Sequence, residues 1–254
     1  MNSFKETLER IEVPPHPLVE ALEFMRGFVP NATNIGESGD RNDLYFLIDT
    51  MNEAIKEAVP GSVCAAGCSR CCYFPIALFN ISPLEWRTIE VFLDGMEEEG
   101  RERILGNFRR DFKKKTKQLS LIQWIVDRPI SFVPKLGGLP CPFLEKGNCA
   151  IYPARPLYCR TFGYYTVVSG MIGNPRFYSC GVQGNALEAQ LRKAGPQVGL
   201  PSANPLIYQL DLLNRLDFPK WTGWRLLLNL FGFYPDYPVI LKERWLQKYE
   251  IGRR

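Results

Sequence analysis

The sequence holds a single histidine, His16, in 254 residues. That excludes sites built on several imidazoles, including His-rich catalytic zinc. It also leaves any Ser–His–Asp set dependent on one residue, and Pro14-Pro15-His16-Pro17 reads as a surface loop. No P-loop and no dinucleotide-binding glycine turn is present. No apolar run approaches the ~20 residues a membrane-spanning helix needs. The first ten residues, MNSFKETLER, lack the apolar centre of a signal peptide. The expected compartment is therefore the cytoplasm. A net charge of +4 is too small to point to nucleic acid as a partner.

What the chain does have is cysteine, in one region. Cys64, Cys68, Cys71 and Cys72 fall within nine residues, and Cys141, Cys149, Cys159 and Cys180 follow, so all eight lie between positions 64 and 180. In a reducing compartment such a cluster points to metal or redox chemistry rather than to a disulfide framework. A regular helix from Cys64 to Cys72 puts the first four thiols in one arc but spreads them over ~12 Å of axis. Four thiolates on one zinc, each ~2.3 Å from the metal, cannot be that far apart. Either the segment bends at Gly67, or residues 141–180 supply part of the ligand set. The second option ties two distant stretches together, so that a bound centre becomes part of the fold.

Two arrangements fit eight thiols: two four-cysteine zinc sites, or an iron–sulfur cluster with cysteines to spare. Zinc knuckles come as paired short spacings, whereas the later gaps here are seven, nine and twenty residues. A dense group followed by irregular gaps favours iron–sulfur ligation, with four iron atoms as the expected form. The spacing Cys64-x3-Cys68-x2-Cys71 is also that of the radical-SAM loop. Such chains continue as repeated strand–helix units, and long helical patterns follow here instead.

The flanks read as helices. Pro17 opens a segment with Leu18, Leu22 and Met25 at helical spacing. A longer helix is expected from about Asp40 to Val59, buried through Leu44, Leu47, Met51, Ala54 and Ile55 and stopped by Pro60-Gly61. Ser82-Pro83-Leu84-Glu85 has the form of a capping box with proline in the first turn, and Trp86, Ile89, Phe92 and Leu93 follow. Another helix is expected over 101–126. Residues 141–182 read as short strands and tight turns: a turn at Gly147-Asn148, a hairpin of 166–169 against Met171-Ile172, and a turn at Asn174-Pro175. Helices are expected at 186–194, 206–216, 219–231 and 240–249. The fold class is thus mainly α with a small cysteine-rich α+β core, short strands and turns around a metal centre. The whole is read as one domain, 1–254, with the metal-binding core at 64–182 flanked by helices in 1–63 and 183–254.

The second cysteine segment reads Cys141-Pro-Phe-Leu, Cys149-Ala-Ile-Tyr and Arg155-Pro-Leu-Tyr-Cys159-Arg160. With the Cys68-x-x-Cys71-Cys72 end of the first cluster, the chain resembles the YkgJ-type or CxxCxxCC family of zinc- or iron-chelating proteins. More distantly it is similar to the flagellin lysine N-methylase, which carries a related cysteine pattern and an iron–sulfur cluster. The resemblance implies metal chelation over about residues 64–180. The first spacing is three residues here, where the family label has two.

Three functions follow as expectations. The leading one is an iron–sulfur (4Fe-4S) protein that transfers electrons or positions its cluster for modification of a protein or peptide. The alternatives are a zinc-stabilised, non-catalytic binding module and an enzyme resembling a protein lysine N-methyltransferase. The expected partner is a redox protein or a protein or peptide substrate. Arg155 and Arg160 flank Cys159 and are candidates for balancing cluster charge or holding an anionic group beside it. Arg70 invites the same reading. The basic run from Arg109 to Lys117 reads as a solvated helix face offsetting Glu97–Glu99. The C-terminal aromatics, Trp221, Trp224, Phe231, Phe233, Tyr234 and Trp245, read as helical core.

Overall fold

A computed structural model describes residues 17–58, 64, 66–73, 80–112, 140–168, 176–177, 179–194, 199–219 and 226–227. The first two helices, α1 (Pro17–Phe28) and α2 (Leu44–Ala58), pack along each other. Leu44, Leu47, Ile48, Met51 and Ile55 recur every three or four residues and are fully buried, which makes α2 the central element of the core. Its start is fixed by Asp43, whose carboxylate accepts from the backbone N–H of Tyr45 at 2.8 Å, Gly36 at 2.7 Å and Gly39 at 3.1 Å. The loop before the helix thereby closes on the orphan donors of its first turn.

A short α3 (Arg70–Tyr73) follows the first cysteines, and β1 (Asn80–Ile81) leads into α4 (Pro83–Asp94). The capping box is formed as read from sequence, with Ser82 accepting from the Glu85 N–H and Glu85 accepting from the Ser82 N–H. Glu85 is also fully buried, and it accepts from the backbone N–H of Leu157 at 2.8 Å and from the Tyr45 hydroxyl at 3.5 Å. One carboxylate thus joins the start of α4 to α2 and to the segment that carries Cys159. Next come α5 (Glu98–Phe112), the hairpin β2 (Leu144–Glu145) and β3 (Asn148–Cys149), a 3-10 turn at Tyr152–Ala154, and α6 (Leu157–Thr161). The chain continues through β4 (Thr166–Val167), β5 (Arg176–Phe177), α7 (Gly181–Ala194), α8 (Asn204–Asp217) and β6 (Leu226–Leu227).

The strands form three two-stranded antiparallel ladders, β1 with β6, β2 with β3, and β4 with β5. The described fold is mainly helical, with small β pieces around the cysteines. The main apolar cluster joins α1, α2 and α8 with Leu84, Leu157, Tyr164, Tyr165 and Leu187. Gln209 on α8 donates to the Ala32 carbonyl at 2.8 Å, and Asn214 accepts from the Leu84 N–H at 3.2 Å, so α8 also holds the start of α4. Among the described residues, no helix is long and apolar enough to cross a membrane.

Several local expectations need correction. The hairpin after Tyr165 pairs Thr166 with Phe177 and Val167 with Arg176, so the returning strand lies beyond the expected Met171-Ile172. Within the expected helix at 219–231, Leu226 and Leu227 instead form a strand on Ile81 and Asn80; pairing with a distant strand overrides the local pattern. The tight turn falls on Lys146 and Gly147, with φ of 48° and 85°, one residue earlier than expected. Two successive positive φ values are what a two-residue hairpin turn requires. Helix α7 starts at Gly181 rather than 186. His16, the basic run at 109–117, the expected helix beyond Phe112, the helix at 240–249 and the C-terminal aromatics lie outside the described residues or side chains.

Candidate metal centre

The first cysteine segment is not one helix. Gly67, at φ +90°, turns the chain in the left-handed region, and only Arg70–Tyr73 is helical. The segment bends at Gly67, and the later cysteines line the same cavity as the first four. The Cys141 N–H donates to the Cys72 carbonyl at 2.7 Å, which seats the second segment on the first. The β2–β3 hairpin places Cys149, the short α6 places Cys159, and Cys180 immediately precedes α7.

All eight cysteines line a single cavity, together with Gly67, Arg70, Phe143, Ile151, Tyr152, Arg155, Pro156, Phe162 and Tyr164. All eight are free thiols. Gly67 and Arg70 are its exposed members, and Phe143, Ile151, Pro156 and Phe162 are its buried apolar ones. The space open to the centre of a water-sized sphere is about 80 Å³.

The Cys71 thiol interacts with that of Cys72, and Cys72 with that of Cys141. The interaction with Cys141 and burial push the Cys72 thiol up to about 12. Burial, then the neighbouring Cys68, Cys180 and Cys71, push Cys64 up to about 12. The interaction with Cys72 and burial raise Cys71 strongly, and burial raises Cys149 and Cys159. Crowded, buried thiols of this kind become thiolates when a cation compensates them. Among the described residues, no three His, Cys, Asp or Glu side chains stand close enough to hold a single ion. The donors are spread around the cavity wall, and they are all soft sulfur ligands of the type that zinc and iron–sulfur clusters take.

The raised thiols make the metal-free chain sensitive to alkali. Its folded state keeps these protons to a higher pH than the unfolded chain, whose thiols titrate near ~8.5. Their contribution to stability is whole below pH ~8.5 and is lost as pH rises through the folded value of about 12. Urea unfolding of metal-free protein is expected to show stability falling above pH ~8.5, and a flat profile from pH ~8 to ~10.5 contradicts this. Metal affinity runs the other way and rises with pH, because each ligand must release its proton.

Gly163 is needed where it stands. Its φ is +90°, and a Cβ there would lie 2.5 Å from the Cys64 sulfur and 3.3 Å from Gln183 Cγ. The same stretch is gripped by Gln183, whose amide donates to the Gly163 carbonyl at 3.0 Å, and by Tyr164, whose hydroxyl donates to the Cys64 carbonyl. Gly163→Ala is expected to cost ~2–4 kcal/mol, from left-handed strain and overpacking together. It should also displace Cys64 and reduce bound metal. Urea unfolding and metal analysis check both, and a variant within ~0.5 kcal/mol of the parent with full metal contradicts the account.

The two arginines separate. Arg160 is 3% exposed and its guanidinium is engaged throughout by protein: Nε donates to the Arg155 carbonyl at 2.9 Å, Nη1 pairs with Asp49, Nη2 donates to the Pro153 carbonyl, and the group lies over the Tyr45 ring. It is absent from the cavity lining. Arg155 lines the cavity and pairs with Asp49 through Nη2 at 3.1 Å. The sequence reading did not single out Asp49, Tyr45, Gly163 or Tyr164. Asp49 sits on the polar side of α2, and nothing local marks it as the acid shared by two arginines more than a hundred residues away.

Residues 63–172 match the family profile CxxCxxCC, described as a "Putative zinc- or iron-chelating domain". Neither the curated proteins nor the solved structures give a significant match. Cys180 falls beyond the matched span and still lines the cavity. The match supports metal binding by the cysteine cluster.

Proposed function

We propose, from the premise that residues 63–172 form a CxxCxxCC domain, that the cavity holds an iron–sulfur cluster of the four-iron type through a subset of its eight cysteines. The observation that carries this reading is the convergence of all eight thiols on one compact cavity; their dense first group followed by irregular gaps favours a cluster over paired zinc knuckles. Bound there, the cluster supplies one-electron transfer. The thiolates hold it, Phe143, Ile151 and Phe162 keep water from it, and the exposed Gly67 and Arg70 face a redox partner or a protein or peptide substrate. The setting we propose is the cytoplasm, where such thiols stay reduced.

Zinc is the second reading, because the family description names both metals and the all-thiolate donor set suits zinc as well. Lysine methylation is the third reading, and it would require a site for an organic methyl donor beside the thiols. Anaerobic protein titrated with dithionite tests the redox reading. A visible band that bleaches reversibly, with a paramagnetic signal in the reduced state, is expected. A colourless, redox-silent protein rejects it, and calorimetric binding of S-adenosylmethionine would shift the assignment to methyl transfer.

A further inference from the structure

Arg155 carries a donor with no partner among the described residues. Its side chain is 12% exposed, its Nη2 pairs with Asp49, and its Cζ lies 3.8 Å from the centroid of the Tyr152 ring. Its Nε is buried and has no hydrogen-bond acceptor among the described residues. Leaving a buried donor unpaired is costly, and more so on a charged group. The residue also lines the cavity, and its charge is felt at Cys149 and Cys159. Asp49 engages Nη2 and the Tyr152 ring supports the guanidinium face, which leaves Nε the buried donor of this cavity-lining residue with no acceptor among the described residues.

We infer that Arg155 Nε donates to a sulfur on the Cys149–Cys159 side of the bound cluster, and that this donor sets the cluster's reduction potential. The inference rests on the iron–sulfur reading above. When one electron enters, the centre becomes one unit more negative. A cation and a hydrogen-bond donor beside its sulfur stabilise that reduced state and raise the potential. Asp49, paired with the same guanidinium, acts with the opposite sign.

The test is a redox titration of intact, cluster-loaded protein with dithionite as reductant, with iron and sulfide measured on every sample. Arg155→Gln is expected to disfavour reduction about tenfold, a lowering of ~59 mV for one electron. Arg155→Lys keeps the charge but not the Nε donor, and should lower the potential less. Asp49→Asn keeps an acceptor for both arginines and removes the negative charge, so it should raise the potential. A purely structural role for the Arg155–Asp49 pair would move both variants the same way. An unmoved potential in Arg155→Gln with a full cluster, or shifts of equal sign in Arg155→Gln and Asp49→Asn, overturns the inference. If Arg155→Gln fails to hold iron, Arg155→Lys decides: a lowered potential supports the assignment and an unchanged one rejects it. A parent protein without iron and sulfide ends the iron–sulfur reading and this inference together; a normal parent cluster with unmoved variants ends only this inference.

Discussion

Glu85→Ala is expected to destabilise the protein by ~3–5 kcal/mol, the range for stripping a buried charged acceptor from its donors. Glu85 is fully buried and accepts from the Ser82 N–H at 2.7 Å, the Ser82 hydroxyl at 3.0 Å, the Leu157 N–H at 2.8 Å and the Tyr45 hydroxyl at 3.5 Å. The cap of α4 alone is worth ~1 kcal/mol. The larger part comes from Leu157 and Tyr45, which lie in the core and find no replacement for the lost oxygen. Leu157 is the first residue of α6, so the loss reaches Cys159 two positions on. Bound metal should fall along with stability. Glu85→Gln keeps one acceptor and should cost about half as much. Urea unfolding of both variants checks the scale, and a Glu85→Ala variant within ~1 kcal/mol of the parent would show that the carboxylate is not the tie described here.

Removing the metal is expected to loosen one part of the molecule and spare another. The large apolar cluster is built mostly from α1, α2 and α8, and Cys64, packed against its edge, is the one cysteine it includes. Those helices have their own burial and their own bonds, including Gln209 to Ala32 and Asn214 to Leu84. The cysteine segments are short helices, turns and a two-residue hairpin that bury little surface by themselves, and pieces of that size depend on a bound centre for their order. Hydrogen exchange after anaerobic chelation should therefore show strong loss of protection at 66–73 and 140–164, with amides in 44–58 and 204–217 still slow. Uniform loss of protection would mean that the centre holds the entire fold. No change at 66–73 and 140–164 would mean that the thiols do not bind the metal.

The parts of the fold that were legible in sequence are those encoded locally. The α4 capping box needs only Ser82, Pro83 and Glu85, all within four residues, and it formed as read. The stripe of Leu44, Leu47, Met51 and Ile55 announced the buried face of α2, although the helix begins at Leu44 because Asp43 caps it. The cysteines were recognisable as a set because thiol chemistry has few reasons to cluster, and the structure brings all eight to one cavity. The illegible parts depend on partners distant in sequence. Leu226-Leu227 becomes a strand only because Asn80-Ile81 offers an edge. Arg155 and Arg160 look equivalent around Cys159 and share Asp49, and only the Arg155 and Pro153 carbonyls and the Tyr45 ring, which engage Arg160, separate the one that lines the cavity from the one that braces the backbone. Gly163 is one glycine among 21 in the sequence, and its role follows from the approach of Cys64, about a hundred residues earlier.

The most direct test of the central claim is the iron, zinc and acid-labile sulfide content of the full chain purified without oxygen, read with its visible spectrum. The account predicts a brown protein with iron and sulfide in equal amounts, ~4 of each per chain for a four-iron cluster, and little zinc. A colourless protein carrying stoichiometric zinc and no sulfide would contradict it and make the eight-thiol cavity a structural zinc site.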